Sequence, residues 1–378
     1  MAETRTILKD PESHNTQRSV FTIPAGLKIN SKKIRLCNFD ISNTNGDNIY
    51  FNHNGVYSLL QKVSLTSLKG TQIDRVQNVD IMGIRLLHTE NATQFSVNRQ
   101  LSQQMCDSVF VNGMGQTDIT EEYQKDDASL MSVYIDVSFM LQYLQQRSVI
   151  DEGCTLVFEW ADPSVCGFNY SFTIPPCLAV DEFLGNVPSD PEVEHTFLTI
   201  IQDKLIVPPS QNSFEKRLNA FYDEYIHNVY YYNIQDKASN PLINPMAQLG
   251  EQLEITIDGR KLIPLKGINN DAKKLALLHD FSGEVSIPAY DSAISLNNNS
   301  YSGFHNPNLG VSYGGNWSYG CFALDRTINM DFTIAYNTTN IVPNISSGYC
   351  LMILAEVLRT YNRETDKVGY KTTNMVPA

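Results

Sequence analysis

The sequence predicts an all-β protein built from two tandem sandwich modules, and three observations carry that prediction. Apolar and polar residues alternate with period two in several stretches, the pattern of half-buried strands. A set of marks recurs in the same order roughly 190 residues further on, as duplicated modules do. Asn, Ser, Thr and Tyr are plentiful, while only 18% of the 378 residues are charged. That composition suits strands and long loops more than helices.

Taken in chain order, residues 1–18 are polar, contain Pro11 and show no period, so they are expected to form a flexible arm. Strand signals begin at Ser19–Ile23, bounded by Pro24, and continue at Lys33–Phe39 and Val63–Thr66, with a turn cluster at Asn43–Asp47 between the last two. Asn78 can cap a short helix carrying Val79, Met82 and Leu86, and Asn270 can cap its counterpart carrying Leu275 and Leu278. Val133, Ile135, Val137, Phe139 and Leu141 alternate with more polar neighbours, as do Ile328, Met330, Phe332, Ile334 and Tyr336. Denser apolar runs at Thr155–Trp160 and Tyr349–Leu358 read as central strands. Two prolines, a glycine and polar residues mark 185–191 as a linker. The predicted organisation is therefore an arm over 1–18, a first module over 19–184, a linker over 185–191, a second module over 192–361 and a polar tail over 362–378.

The repeat rests on paired marks. Lys69-Gly70-Thr71 and Asp258-Gly259-Arg260 each follow an apolar strand (259−70 = 189). Leu86-Leu87-His88 is matched by Leu277-Leu278-His279, and Asp136 by Asp331 with both aspartates on the polar face of their strand. Cys154 and Glu159 are matched by Cys350 and Glu356 (356−159 = 197). A one-residue slip would invert both faces of a strand, so agreement in phase supports the alignment. Both modules then carry a long insertion at the same topological place, and in the second it includes the Asn-, Gly- and Tyr-rich stretch Pro288–Gly320. Insertions of that length are functional or disordered.

A net charge of −13 excludes a protein that grips nucleic acid over its whole surface, because that affinity needs a basic field. The cysteines, Cys37, Cys106, Cys154, Cys166, Cys177, Cys321 and Cys350, are odd in number and form no CxxC. They read as free thiols of a reduced, intracellular chain. No apolar run reaches the length of a membrane span, and Met1–Arg18 lacks the apolar core of a signal peptide. The Asn-x-Ser/Thr sites at Asn91, Asn169, Asn298, Asn316, Asn337 and Asn344 read as accidental in so Asn-rich a chain.

The residues offer little chemistry. GxSxG, HExxH and GxxxxGK[ST] are all missing. His14, His53, His88, His195, His227, His279 and His305 show no ligand spacing, and His88 and His279 read as helix-end residues. Gly113-Met114-Gly115 lacks the rest of a phosphate loop and reads as a turn. Asn43, Asn45 and Asp47 alternate like a calcium loop but lack its closing glutamate, so a turn is the better reading. Tyr222, Tyr225, Tyr230, Tyr231 and Tyr232 beside Asp223 and Glu224 could stack and hydrolyse a sugar. Strand or interface positions explain them more simply. Trp317 fits a ligand-binding tip or, preferably, a contact with a neighbouring subunit. No catalytic, cofactor or metal residue is assigned.

Several stretches resemble the double jelly-roll major capsid proteins of tailless icosahedral DNA viruses. Phe139–Leu144, Val149–Gly153 and Leu156–Trp160 look like the strand–helix–strand closing the first jelly roll. Ile174–Glu182 looks like the passage into the second, and Ile255–Lys261 like its early strand. The resemblance implies two tandem eight-stranded jelly rolls and no enzyme activity. It also implies homotrimeric, pseudo-hexagonal capsomers that tile a virion shell assembled inside the host cell. Pro288–Gly320 and Thr89–Met131 would form an outer tower. The arms would reach neighbouring capsomers, minor or penton proteins, or an internal membrane, without sequence-specific binding of nucleic acid. The compact length suits a polinton-like or phage version better than virophage proteins with bigger insertions. The competing readings are a minor or vertex capsid protein, a receptor-binding spike and, from the tyrosines and Trp317, a carbohydrate-binding β-sandwich.

Overall fold

The computed structural model describes residues 3–45, 59–77, 130–138, 140–163, 169–207, 213–234, 252–263, 311–312, 316–317, 319–337 and 349–370. These fall into two compact units. Among the described residues, unit 1 takes those up to Thr199 together with Arg359–Gly369, and unit 2 takes Ile200–Leu358 and Tyr370.

Unit 1 contains β1 (Thr4–Lys9), β2 (Ser13–His14), β3 (Arg18–Ile23), β4 (Ile29–Asn43), β5 (Leu60–Thr66), β6 (Gln72–Gln77) and β7 (Leu130–Asp136). It continues with the one-turn helix α1 (Gln142–Gln145), then β8 (Val149–Ile150), β9 (Cys154–Trp160), β10 (Tyr170–Ile174) and β11 (Cys177–Phe183). One sheet runs β1-β11-β4, with β7 also on β4, and short β8 and β10 extend it; the other runs β3-β9-β5-β6, with β2 on β3. The alternation is visible in β3, where Val20 is partly covered and Phe21 and Ile23 are fully buried in the core. Strand β4 keeps Ile34 and Leu36 inside, then slips by one residue against β7 between Leu36 and Phe39. Asn38 takes up the slip at φ 54°, a left-handed conformation that asparagine tolerates better than most residues. The bulge returns Phe39 and Ile41 to the core. Phe21 meets Phe158 edge-on at 5.7 Å, and Trp160 lies 4.8 Å from Phe172 while its Nε1 donates to Ser19 Oγ at 2.9 Å. Each such large side chain withdrawn from water contributes roughly 1.5–3 kcal/mol.

Unit 2 is formed by β12 (Glu194–Val207), β13 (Ser213–Arg217), β14 (Tyr225–Ile234), β15 (Gln252–Ile257) and β16 (Arg260–Ile263). After these come β17 (Val311–Ser312), β18 (Asn316–Trp317), β19 (Tyr319–Thr327), β20 (Phe332–Asn337) and β21 (Tyr349–Asn362, of which Arg359–Asn362 belong to unit 1), and then β22 (Lys367–Tyr370), which belongs to unit 1 except for Tyr370. Its sheets run β12-β21-β14-β19, with β22 on β21, and β13-β20-β15-β16. Phe221, Ile226, Val229, Ile255, Ile257, Phe332, Ile334, Ile353 and Val357 fill the space between them.

The two sheet orders are the same when read in chain sequence. β1-β11-β4-β7 corresponds to β12-β21-β14-β19, and β3-β9-β5-β6 to β13-β20-β15-β16. Eight main strands in two four-stranded sheets, with the last strand lying beside the first, make each unit a jelly roll.

Several expectations need correction. Residues 1–18 hold a strand: β1 pairs with β11 along its whole length, from Thr4 opposite Phe183 to Lys9 opposite Leu178. Its polar composition reflects an edge strand with one wet face. The 185–191 stretch is tied to unit 1, since Lys28 Nζ donates to Val187 O and Arg147 Nη2 to Asp190 Oδ2 at 3.0 Å. The compact units change over after Thr199 and after Leu358, within β12 and β21, and not at the 185–191 stretch. The described part of the tail completes β21 and forms β22. The strand expected through Leu141 ends at Asp136, where Ser138 Oγ and N bond to Asp136 Oδ1 and close a turn.

The repeat alignment changes as well. The paired hairpins are β5–β6 and β15–β16, and Gly70 (φ 100°) and Gly259 (φ 72°) are left-handed at equivalent turns. Further on, Asp136 ends β7 whereas Asp331 precedes β20, and topology pairs β7 with β19, β9 with β20 and β11 with β21. Matching Cys154 to Cys350 therefore slipped by a whole strand. Several strands share the same period-two pattern, so pattern alone cannot tell one of them from the next. The helices expected after Asn78 and Asn270, with His88 and His279, lie outside the described residues.

Candidate functional site

Each unit has two unlike ends, and the chain builds the difference from short turns and long connections. In unit 1 the β3–β4, β5–β6 and β8–β9 turns meet around Gly153. Its φ is 74°, and a Cβ there would lie 2.6 Å from Ala25 N, 2.8 Å from Ile23 O and 2.8 Å from Leu68 Cδ1. Only glycine fits such a close backbone approach. In unit 2 the corresponding turns are laced by Asp258, whose Oδ1 accepts from Asn329 N at 3.0 Å and Met330 N at 2.7 Å. Gly259 N donates to Asp331 Oδ1 at 3.2 Å, and Asp223 N to Ile328 O at 2.9 Å. The opposite ends carry the long connections, 78–129 from β6 to β7 and 264–318 from β16 to β19. Both are roughly 50 residues, several times the usual connection length. The stretches expected as a tower, Thr89–Met131 and Pro288–Gly320, overlap these two connections, most of whose residues lie outside the described set.

The densest polar arrangement is a latch in unit 1. Arg147, whose side chain is 4% exposed, donates to Glu152 Oε1 and, through Nη2 at 3.0 Å, to Asp190 Oδ2. It also donates to Tyr143 Oη at 2.5 Å, and Tyr143 Oη donates to Glu152 Oε1 at 2.8 Å. Arg363 reaches Asp151 Oδ1 at 2.9 Å and Asp190 O at 2.8 Å. Tyr143 is ringed edge-on by Phe197 at 5.2 Å, Tyr361 at 5.8 Å and His195 at 6.0 Å. Burial alone would raise Glu152, but the charge and hydrogen bond of Arg147, together with backbone and Tyr143 hydrogen bonds, hold the carboxyl below its usual range. Burial, reinforced by Arg147, lowers the pKa of His195. Nearby, Asp74 is buried on β6, where desolvation raises its pKa. It accepts from Thr199 Oγ1 at 2.7 Å and from Tyr143 N at 3.0 Å, so it caps α1 from another strand. Sequence reasoning missed these residues because they lie on separate elements and form no local motif.

Asp190, Glu192 and His195 can bring one ligand atom each within 4.8 Å of one another. The Asp190 carboxylate already accepts from Arg147, and the Glu192 side chain is 70% exposed. Two neighbouring guanidiniums oppose a cation, so this is an ion-pair latch.

The sequence candidates do not converge. Tyr222 is exposed, Asp223 (φ 62°) and Glu224 clamp a turn through their backbones, and Tyr225 opens β14. Tyr230–Tyr232 lie on the same strand, roughly 17 Å or more beyond Tyr225 at strand rise. Trp317 pairs in β18 with Val311 of β17. Asn43 ends β4 and its Oδ1 accepts from Asn45 N at 3.0 Å, a turn bond; Asp47 lies outside the described residues. So does Gly113–Gly115. His14 Nδ1 bonds to Ser19 Oγ at 2.7 Å, and His227 to Asp325. Among the described residues, no helix is long and apolar enough to cross a membrane.

The architecture is thus that of a double jelly-roll protein. No protein-family model and no curated protein matches the sequence. Solved structures do. VP54 of PBCV-1, as fitted into a reconstruction of the virophage Sputnik, aligns with a TM-score of 0.60 and 11% identity, over 99% of this chain and 98% of that one. The Sputnik virophage structure aligns at 0.59 and 11%, over 98% and 88%. The mavirus major capsid protein aligns at 0.57 and 11%, over 98% and 91%. The likeness is one of fold.

Proposed function

We propose that the chain is a structural major capsid protein that assembles as a homotrimer into pseudo-hexagonal capsomers of an icosahedral shell. The observation that carries this reading is the recurrence of one eight-stranded sheet order twice in a single chain. Three copies of two sandwiches supply six similar walls, and a heterologous interface closed by threefold rotation makes a ring. The duplicated sheet order spans β1–β11 and β12–β21. The virion is then its location, and its partners are other copies of itself, followed by minor or penton proteins. It carries no catalytic role. The long connections would face outwards and the laced turns inwards. Such an interface commonly buries roughly 2,000 Å² or more. Light scattering coupled to size exclusion, with negative-stain imaging, tests the proposal. The expected result is a particle of three chains with a hexagonal outline. A stable monomer at high concentration, with no hexagonal particles, overturns it.

A further inference from the structure

Strands β4 and β11 place two cysteines directly opposite each other. Cys177 is the register partner of Cys37 in the antiparallel ladder. The adjacent pair, Leu178 and Leu36, is fully buried, so alternation turns Cys37 and Cys177 together onto the other face of the sheet. Both are free thiols, Cys37 partly exposed and Cys177 nearly covered. Opposed residues in an antiparallel pair have Cα atoms roughly 4.5–5.5 Å apart, inside the range of about 4.4–6.8 Å that a disulfide spans. Their Cβ atoms must still approach slightly, and the bulge provides the freedom: the β4–β7 register skips Cys37 and Asn38, so β4 is not laddered to β7 there.

We infer that Cys37 and Cys177 are a cross-strand redox pair, a site at which oxidation staples the last strand of the first jelly roll to its longest strand. The reaction is thiol–disulfide exchange with a low-molecular-weight disulfide such as oxidised glutathione. The accessible Cys37 thiolate attacks one sulfur of that disulfide, whose S–S bond breaks and releases one small thiolate. Cys177 thiolate then attacks Cys37 Sγ, the mixed disulfide breaks, and the second small thiolate leaves. Two protein thiols lose two electrons, the small disulfide gains them, and the two protons end on its thiols. The cost is one weak bond, because Cys177 Sγ donates to Lys9 O of β1 at 3.3 Å in the reduced form. Burial raises both thiols above their ordinary pKa. The exchange is therefore slow near neutral pH and accelerates as pH rises towards 9. The bond would close a loop that contains most of the first jelly roll, the arrangement in which a crosslink restrains the unfolded chain most.

The test uses the full chain. Folded protein is incubated with oxidised glutathione at pH 8, trapped with an alkylating agent in denaturant, and mapped by non-reducing digestion and mass spectrometry. The expected result is a Cys37–Cys177 peptide, two fewer titratable thiols, and a rise in Tm that dithiothreitol reverses. In Cys177→Ser the reaction stops at a Cys37–glutathione adduct and the Tm does not rise. The inference is overturned if both residues of the wild-type chain are recovered alkylated, or if Cys37 carries glutathione while Cys177 remains a thiol.

Discussion

At the scale of single residues, Arg147 and Gly153 hold the most. Arg147 neutralises two carboxylates, Glu152 and Asp190, while itself almost fully buried. Replacing it with Met leaves both without their main partner, and removal of one member of a buried pair costs about 3 kcal/mol or more. Urea denaturation of Arg147→Met should show a loss of that size, and an unchanged midpoint would contradict the latch. Gly153→Ala forces a left-handed alanine against backbone atoms at 2.6 and 2.8 Å, and should cost about 3 kcal/mol. Gly70→Ala, also left-handed but with open space around it, should cost only about 1 kcal/mol. The same denaturation series separates the two. His195 supplies the pH dependence. Its folded pKa lies below the ordinary 6.5, so the unfolded chain binds the proton more readily. Its contribution to stability is therefore complete above pH 6.5 and is lost as pH falls towards the folded value. Half-buried His14 shifts in the same direction. Thermal melts at pH 7 and pH 5 should show a smaller acid loss in His195→Gln than in the parent chain.

At the scale of elements, the revealing piece is β1. Its residues carry no recognisable period, yet Arg5 bonds to Glu182 at 2.5 Å, Thr6 to Asp181 at 2.8 Å, and the backbone completes the ladder on β11. A chain lacking residues 1–10 would expose the unpaired edge of β11, a template for aggregation. It should melt several degrees lower and aggregate on heating, as read by differential scanning fluorimetry with light scattering. An unchanged melt would restore the flexible-arm reading. A strand with one buried face, such as β3, was legible because alternation is imposed by the core, and β9 was legible as a dense apolar run. The hairpins at Gly70 and Gly259 were legible for a local reason, since their turns demand a left-handed residue. Edge strand β1 was not, and helix α1 was anticipated only through the family resemblance of Phe139–Trp160. An edge strand draws its order from a neighbour's backbone, and α1 is capped by Asp74 from β6.

At the scale of the whole molecule, duplication determines what the chain can build. Asp223 and Glu224 hold a turn, whereas Tyr225 and Tyr230–Tyr232 follow along β14. Under the proposed trimer, the Cys37–Cys177 pair would occur three times per capsomer. Composition, charge and periodicity by themselves determined that this is a β protein with a repeated hairpin and two long insertions, because these properties are local or global averages of the chain. Which strand pairs with which, and hence the correct alignment of the repeat, was decided only by tertiary structure. So were the latch of Arg147, Glu152, Asp190 and His195, and the opposition of Cys37 to Cys177. The physical reason is common to all of them: each depends on residues far apart in the chain, and an alternating strand pattern records its own faces but not its neighbour.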